Sequence, residues 1–202
     1  MPRRDREQSI LDAAGQVFAR GYHAASMDEI AGLADVSKPM LYAYFGSKEG
    51  LYIAYVDRTG RELLDRLAGA TTPDDQPSVR LRAGILEFFA FIEQYRDGWQ
   101  VLFGELTSIG PVAEEVAVLR RRIAEWITAV LGAATGATGR VPDMSVQATA
   151  HAIVGAGESL ANWWLAHPQV QRDEVADWYM GMILAAASAA TGEGRSTASR
   201  DA

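Results

Sequence analysis

Apolar residues recur at helical spacing along almost the whole chain. The first apolar stripe follows the i, i+3, i+4, i+7, i+8 pattern of one helical face, and its members are Ile10, Ala13, Ala14, Val17 and Phe18. We expect this helix to end near Gly21, because glycine readily adopts the left-handed conformation that terminates many helices. No segment alternates apolar and polar residues as a half-buried strand would. The pattern predicts an all-α fold.

Serines mark the starts of the next three predicted helices. Serine is a favoured N-cap because its hydroxyl accepts a hydrogen bond from a free backbone N–H group. The predicted caps are Ser26 for a helix through Ala34, Ser37 for a helix with Pro39 near its start, and Ser47 for a helix to about Gly69. The first two of these helices are short and separated by a brief break, which is the outline of a helix-turn-helix.

The rest of the chain predicts further helices after a loop at 71–77. Two apolar stripes run from Leu81 to Ile92 and from Val116 to Val130, and a short helix lies between Gly98 and Pro111. A glycine-rich connector at 132–142 leads to two long helices, at about 144–166 and 172–190, with Pro168 between them. We call the first three predicted helices the head and this larger helical part, which follows them, the body.

Composition limits the class of protein. The 202 residues are 49% hydrophobic and 22% charged, which is enough for a buried core and excludes a mainly disordered chain. The absence of cysteine excludes a disulfide scaffold, a thiolate metal site and a cysteine nucleophile. The start of the chain is basic rather than apolar, and the longest uncharged run, 178–192, is shorter than the roughly 20 residues of a membrane helix. We therefore expect a cytoplasmic protein that does not enter the membrane.

The net charge of −7 is unevenly distributed. Residues 1–50 contain six basic and seven acidic side chains, whereas residues 51–202 contain thirteen and nineteen. The two lysines of the chain, Lys38 and Lys48, both lie in the first part. The acidity thus belongs to the second part, and the first part retains cations that could meet DNA phosphates.

The segment from Ser26 to Lys48 contains the candidate DNA-binding residues. Leu41 and Phe45 lie four apart and are expected to face inward. Lys38 can donate to guanine, whereas its apolar neighbours can only contact groups such as thymine methyls. The candidates are Ser26, Lys38, Pro39, Met40, Tyr42, Ala43, Tyr44 and Lys48. Spacing alone leaves a simple packed α-hairpin as an equal alternative.

The sequence from Ile30 to Glu49, IAGLADVSKPMLYAYFGSKE, resembles the DNA-binding signature of the TetR family of bacterial transcriptional regulators. The segments 10–14 and 18–22 also look like the first helix of that family. One departure is Asp35, which stands where the turn of the family usually has glycine. Aspartate tolerates a left-handed conformation better than most residues, so we expect the turn to be kept.

The resemblance implies a homodimeric, repressor-like regulator. It places Tyr42, Tyr44 and Lys48 at positions that contact the DNA backbone. The base-facing positions that it implies are Lys38, Pro39, Met40 and Ala43. The implied partners are a near-palindromic double-stranded operator, a small and largely apolar effector, and a second copy of the chain, with no metal or cofactor. The implied division is a helix-turn-helix DNA-binding domain at 1–48, a ligand-binding and dimerisation domain at 49–192, and a flexible tail at 193–202.

The predicted helix at 144–166 has a polar stripe and a face of small residues. The stripe, Gln147, His151, Glu158 and Asn162, is expected to face the inside of the body, with solvent or a dimer interface as the alternatives. We predict an effector site from three of these residues and two aromatic residues of the short helix: Trp99, Phe103, His151, Glu158 and Asn162. The small face predicts dimer contacts through Ala148, Ala152, Gly155 and Ser159, because small residues let helices approach closely.

Two other functions are compatible with the residues. One is a helical protein that binds a small molecule or a partner without specific DNA binding, against which Lys38 and Lys48 argue. The other is an α-helical enzyme that uses Glu158 and His151 as an acid–base pair, although no nucleophile or metal-ligand spacing accompanies them. The run Arg120–Arg122 is expected to face solvent, since three consecutive residues span most of a helical turn.

Overall fold

The computed structural model describes residues 3–72, 74–103, 110–134 and 144–197. Over these ranges it contains nine α-helices and no β-strand, which confirms the all-α prediction. The helices are α1 (Arg3–Phe18), α2 (Met27–Leu33), α3 (Lys38–Phe45), α4 (Lys48–Gly69), α5 (Pro77–Gln94), α6 (Arg96–Phe103), α7 (Gly110–Ala134), α8 (Met144–Leu165) and α9 (Arg172–Thr197). None of the described helices is both long and apolar enough to cross a membrane.

Helices α1 to α3 form a small head whose local structure follows the predicted signals. The Ser26 hydroxyl accepts a hydrogen bond from the Asp28 N–H (3.2 Å), and the Ser47 hydroxyl accepts one from the Gly50 N–H (2.9 Å). Ser37 precedes α3, but its side chain accepts no capping hydrogen bond. Asp35 has φ +52°, so this residue adopts the left-handed conformation that the turn was expected to require.

Helix α4 connects the head to the body. At its start, the Tyr52 ring packs edge-on against the rings of Phe18 (4.9 Å between centroids) and Tyr22 (5.2 Å). Nearer its end, the buried Leu63 and Leu67 belong to the core of the body. A single continuous helix therefore spans both parts.

The body consists of α5 to α9 packed around aromatic side chains. Phe89 of α5 is fully buried and meets Trp164 of α8 (5.6 Å between centroids) and Tyr179 of α9 (6.0 Å) edge-to-face. Helix α7 packs against both α4 and α8, and α5 packs against α9. Such edge-to-face pairs add to the stabilisation from burial alone.

Some boundaries differ from the sequence-based expectation. Helix α6 begins at Arg96, so Gly98 lies within it rather than before it. Helix α9 extends to Thr197 and includes the start of the predicted tail. The stretches 104–109 and 135–143, with most of the predicted glycine-rich connector, and the end of the tail at 198–202 lie outside the described residues.

Candidate DNA-binding surface and effector cavity

One side of α3 is open to the surroundings. Leu41 is buried in the head, as predicted, and Phe45 is partly buried against the same core. Pro39, Tyr42 and Ala43 are exposed. The side of α3 that the sequence assigns to DNA is thus accessible, and apart from Lys38 it is mostly apolar.

Lys38, at the start of α3, forms an ion pair with Asp28 of α2. Its Nζ lies 2.8 Å from Asp28 Oδ2, and the two side chains are 45% and 70% exposed. The hydrogen bond from Lys38 to Asp28, together with the charge of that carboxylate, raises the pKa of Lys38. Lys38 therefore remains charged at neutral pH, with an acidic partner beside it.

Lys48, at the start of α4, has neutral neighbours instead. Its Nζ lies 4.6 Å above the centroid of the Tyr22 ring and 3.5 Å from the carbonyl oxygen of His23. These contacts place the ammonium group between α4 and the segment that joins α1 to α2. Neither contact neutralises the charge, so Lys48 can offer it to a phosphate.

Tyr44 lies on another side of α3. The Arg3 guanidinium carbon is 5.4 Å from the centroid of its ring, and the side chain is half-buried. Tyr42, in contrast, is 43% exposed. Of the two tyrosines predicted to contact the DNA backbone, Tyr42 is therefore the more accessible, and Tyr44 brings Arg3 to the edge of the same surface.

The body contains a cavity of about 50 Å³ that is bounded by all five of its helices and by α4. Its walls are almost entirely apolar and include Leu67, Phe88, Trp99, Phe103, Trp126 and Ile153. Glu158 contributes the one carboxylate among the described residues that line it. A space of this kind favours an apolar ligand with a single polar anchor.

Glu158 is paired across the cavity rim with Arg120 of α7. Arg120 Nε lies 2.8 Å from Glu158 Oε1 and Arg120 Nη2 lies 2.9 Å from Oε2, which is a bidentate arrangement. The Glu158 side chain is only 16% exposed. Arg121 and Arg122 are exposed, as most of this run is expected to be, whereas α7 turns Arg120 towards Glu158 of α8 and leaves its side chain 38% exposed.

Trp99 connects α6 to the polar stripe of α8. Its ring is fully buried, its Nε1–H donates to Asn162 Oδ1 (2.8 Å), and Phe103 lies 4.2 Å away between ring centroids. The structure thus brings Trp99, Phe103 and Glu158 together around one cavity, whereas Asn162 is exposed and reaches it only through its hydrogen bond with Trp99.

His151 does not join this group. It is exposed and lies with Gln147 on the outer surface between α7 and α8, beside Arg121 and Glu125. The prediction that the polar stripe faces the inside of the body therefore holds for Glu158, which lines the cavity, but not for Gln147, His151 and Asn162, which are exposed. Glu158 has Arg120 rather than His151 as its partner, so the structure does not assemble the acid–base pair considered above.

On its other side, helix α6 packs against α1 of the head and against the first part of α4. Tyr52 of α4 donates a hydrogen bond to the carbonyl oxygen of Val101 (2.5 Å), and burial raises the pKa of Tyr52 to about 12. The Tyr55 ring fits between Gly15 of α1 and Gly98 of α6: a Cβ atom would lie 2.6 Å from the ring at Gly15 and 2.8 Å from its hydroxyl at Gly98. Sequence reasoning missed these contacts, since two isolated glycines do not reveal a shared partner.

An apolar face is exposed along α8 and α9. The small residues predicted as dimer contacts, Ala148, Ala152, Gly155 and Ser159, are all exposed. Large apolar side chains adjoin them, with Trp163 of α8 lying 6.2 Å from Trp178 of α9 between ring centroids and Met182 one turn further along α9. An exposed patch of this kind is typical of a protein–protein interface.

Comparisons with known proteins agree with this architecture. The family model of bacterial regulatory proteins of the tetR family matches residues 10–55, and that of a tetracyclin repressor-like C-terminal domain matches residues 77–186. The HTH-type transcriptional activator FasR of Mycolicibacterium smegmatis is 47% identical over 106 residues, which are 51% of this chain and 48% of FasR. The aligned part thus spans about half the length of that relative.

Solved structures extend the likeness to almost the whole chain. A TetR-like transcriptional regulator from Rhodococcus sp. RHA1 is 35% identical with a TM-score of 0.77, over 93% of this chain and 98% of that one. The regulator FadR from Bacillus subtilis, solved in complex with stearoyl-CoA, is 17% identical with a TM-score of 0.77, over 87% of this chain and 96% of that one, and shares the fold. Because family models cover both its head and its body and a relative of matching length has the same structure, the chain belongs to the tetR family of bacterial regulatory proteins, the helix-turn-helix regulators of transcription.

Proposed function

We propose that this protein is a ligand-responsive DNA-binding regulator that acts as a homodimer on a near-palindromic operator. A small, largely apolar effector binds in the body and releases the DNA. The observation that carries this proposal is the position of α6, which lines the apolar cavity through Trp99 and Phe103 and packs against α1 of the head. Its Val101 and Gly98 also contact the first part of α4, the helix that leads from the head. The division into a head at 1–48, a body at 49–192 and a tail at 193–202 is part of the proposal. A protein that binds bacterial operators works in the cytoplasm.

The head binds DNA through the exposed side of α3 and the cations that flank it. Pro39, Met40 and Ala43 face the bases, Lys38 donates to them, and Tyr42 and Lys48 hold the backbone; Ser26 and Tyr44 complete the surface. Since apolar side chains read little beyond thymine methyl groups, part of the specificity comes from the shape of the DNA.

Replacing Lys48 by alanine is expected to weaken binding to every DNA sequence by a similar factor. The slope of log affinity against log salt concentration should fall by about one, because one phosphate contact is lost. Fluorescence anisotropy of a labelled duplex over a salt series measures this slope. The matched control is Arg82→Ala, which removes an exposed cation of the body that pairs with Asp177 and should leave the slope unchanged. An unaltered slope for the folded Lys48→Ala protein would remove Lys48 from the DNA contacts.

The effector enters the cavity by enlarging it. At about 50 Å³ the cavity is much smaller than the roughly 300 Å³ or more of a typical ligand pocket. Binding therefore moves a wall, and α6 is the short helix among the walls. The effector shifts the equilibrium towards the released state only to the extent that it prefers the enlarged cavity. FadR, which has the same fold and was solved with stearoyl-CoA, supports a ligand with a large apolar part.

A double variant, Phe103→Ala with Glu158→Leu, tests this site. Glu158 is proposed to orient the polar part of the effector, with Asn162 holding Trp99 in the wall, so removing the carboxylate and one aromatic wall should weaken effector-induced DNA release at least about 10-fold. Stearoyl-CoA and shorter acyl compounds are the first probes, with DNA release followed by anisotropy. His151→Leu is the matched control, because His151 lies on the outer surface in this structure. If the double variant responds normally while His151→Leu does not, the effector site lies between α7 and α8 instead.

The direction of regulation is proposed to be repression. A regulator bound over a promoter blocks transcription, and release by an effector restores it. FasR is named an activator, and this makes activation the second candidate for the present chain. A promoter–reporter fusion with and without the regulator separates the two, since repression lowers reporter expression and activation raises it.

A further inference from the structure

Two acidic residues in the first turn of α2 neutralise two cations of the head. Asp28 pairs with Lys38 at 2.8 Å, and Glu29 pairs with Arg20. Lys48, in contrast, contacts an aromatic ring and a backbone carbonyl group. The proposed DNA-binding surface therefore contains one cation with a carboxylate partner at the recognition helix and another without one.

Lys38 has a special position among the residues of α3. It is the one charged side chain of that helix, whose sequence is KPMLYAYF. Its neighbours Pro39, Met40 and Ala43 have no groups that donate hydrogen bonds to base edges. The availability of Lys38 thus determines how much positive charge α3 offers to DNA, and Asp28 is the carboxylate that pairs with it.

We propose that Asp28 is a specificity-determining residue, which holds Lys38 back from the phosphates of unrelated DNA and orients it towards an acceptor that is correctly placed in the operator. This inference rests on the proposed function. Non-specific binding is supplied by phosphate contacts, which any duplex offers. A carboxylate beside the lysine competes with those phosphates for the ammonium group. At the operator, base contacts made by the rest of α3 fix the position of the acceptor, and the Lys38 ammonium group, which has three N–H donors, reaches it while it keeps the ion pair with Asp28.

The test is the Asp28→Asn variant, measured against two duplexes of equal length. One is the site recovered by selection from a random pool, and the other has an unrelated sequence. Affinity for the unrelated duplex should rise roughly 2- to 5-fold, which corresponds to the loss of an exposed ion pair. Its salt slope should steepen by about one, as Lys38 becomes a phosphate contact. Affinity for the selected site should change less, so the ratio of the two affinities falls. Asp177→Asn is the matched control, because it removes an exposed carboxylate paired with Arg82 in the body.

The same substitution in a Lys38→Met background separates the pair from simple charge repulsion. If Asp28 acts through Lys38, Asp28→Asn should have almost no effect on either duplex in that background. The proposal would be overturned if Asp28→Asn raised the affinity for the unrelated duplex equally with and without Lys38. It would also be overturned if a folded Asp28→Asn protein kept the same ratio of affinities for the selected and the unrelated duplex. If the unmodified protein binds neither duplex, the proposed function fails and this inference fails with it. If the unmodified protein binds the selected site but Asp28→Asn does not change the ratio of the two affinities, this inference alone fails.

Discussion

Replacing Ala152 by arginine is expected to convert the protein into a monomer and to weaken its binding to a palindromic site by roughly 100-fold or more. Ala152 lies in the exposed row of small residues on α8, next to exposed large apolar residues of α8 and α9. In a two-fold symmetric dimer the same face of both copies meets, so two arginines would enter one apolar interface. Burying unpaired charge there is costly. A monomer then presents a single recognition helix and loses the additional affinity that a dimer gains by binding two half-sites at once.

Sedimentation equilibrium at micromolar concentration measures the loss of the dimer. Fluorescence anisotropy with the palindromic duplex measures the loss of DNA affinity. Gly155→Arg should behave in the same way, because Gly155 is exposed in the same row. The matched control is Ala117→Arg, which places the same side chain at an exposed alanine of α7. A dimer that persists in both α8 variants, with full affinity for the palindrome, would show that the dimer forms through another surface.

Replacing Trp99 by alanine is expected to lower the free energy of unfolding by about 3–5 kcal/mol. The side chain is fully buried, packs against Phe88 (5.4 Å between ring centroids) and Phe103, and donates its indole N–H to Asn162. Its removal leaves a void next to a cavity that is already present, and α6 loses its main contact with α8. Urea denaturation followed by circular dichroism measures the change.

A Trp99→Phe variant separates packing from hydrogen bonding at the same position. Phenylalanine keeps most of the ring contacts but leaves Asn162 without the indole donor, so we expect a loss of about 1–2 kcal/mol. The order of stability should therefore be the unmodified protein, then Trp99→Phe, then Trp99→Ala. A Trp99→Ala protein that loses no more than the phenylalanine variant would contradict the view that Trp99 anchors α6 to the body.

The head could be predicted from the sequence in considerable detail. Its signals are local: Ser26 and Ser47 stand where hydroxyl groups cap helices, and their capping bonds are present. Asp35 takes the place of glycine in the turn because a short polar side chain tolerates a positive φ, and its φ is +52°. Each of these features depends on a few neighbouring residues, so the sequence contains all the information that they require.

The effector cavity could be predicted only in part. Periodicity places Gln147, His151, Glu158 and Asn162 on one face of a helix, but it does not say how far along the helix that face remains covered. In the structure α7 covers Glu158, whereas His151 is left outside and Asn162 is exposed although it binds Trp99 of α6. Likewise, one of three consecutive arginines turns inward because α7 packs on α8. The relative rotation of two helices depends on contacts between distant parts of the chain, which periodicity does not contain.

The DNA-binding surface, like the cavity, could be predicted only in part. Spacing identifies the exposed residues of α3, because Leu41 determines which side faces the core. The ion pair between Lys38 and Asp28 joins residues ten positions apart across the turn, and it depends on the angle between α2 and α3. Sequence alone thus indicates which cations the head has, but not which of them already have a partner.

Selection of bound duplexes from a random DNA pool tests the proposed regulator most directly. Two heads related by a two-fold axis should enrich a near-palindrome with half-sites about 34 Å apart, centre to centre, or a multiple of that distance. Bound and unbound fractions from the full-length protein are sequenced at moderate salt, so that phosphate contacts alone do not retain DNA. Enrichment of a two-fold symmetric site is the result that we predict. Recovery of an asymmetric single half-site, or of no sequence above the starting pool, would contradict a dimeric regulator that recognises a specific operator.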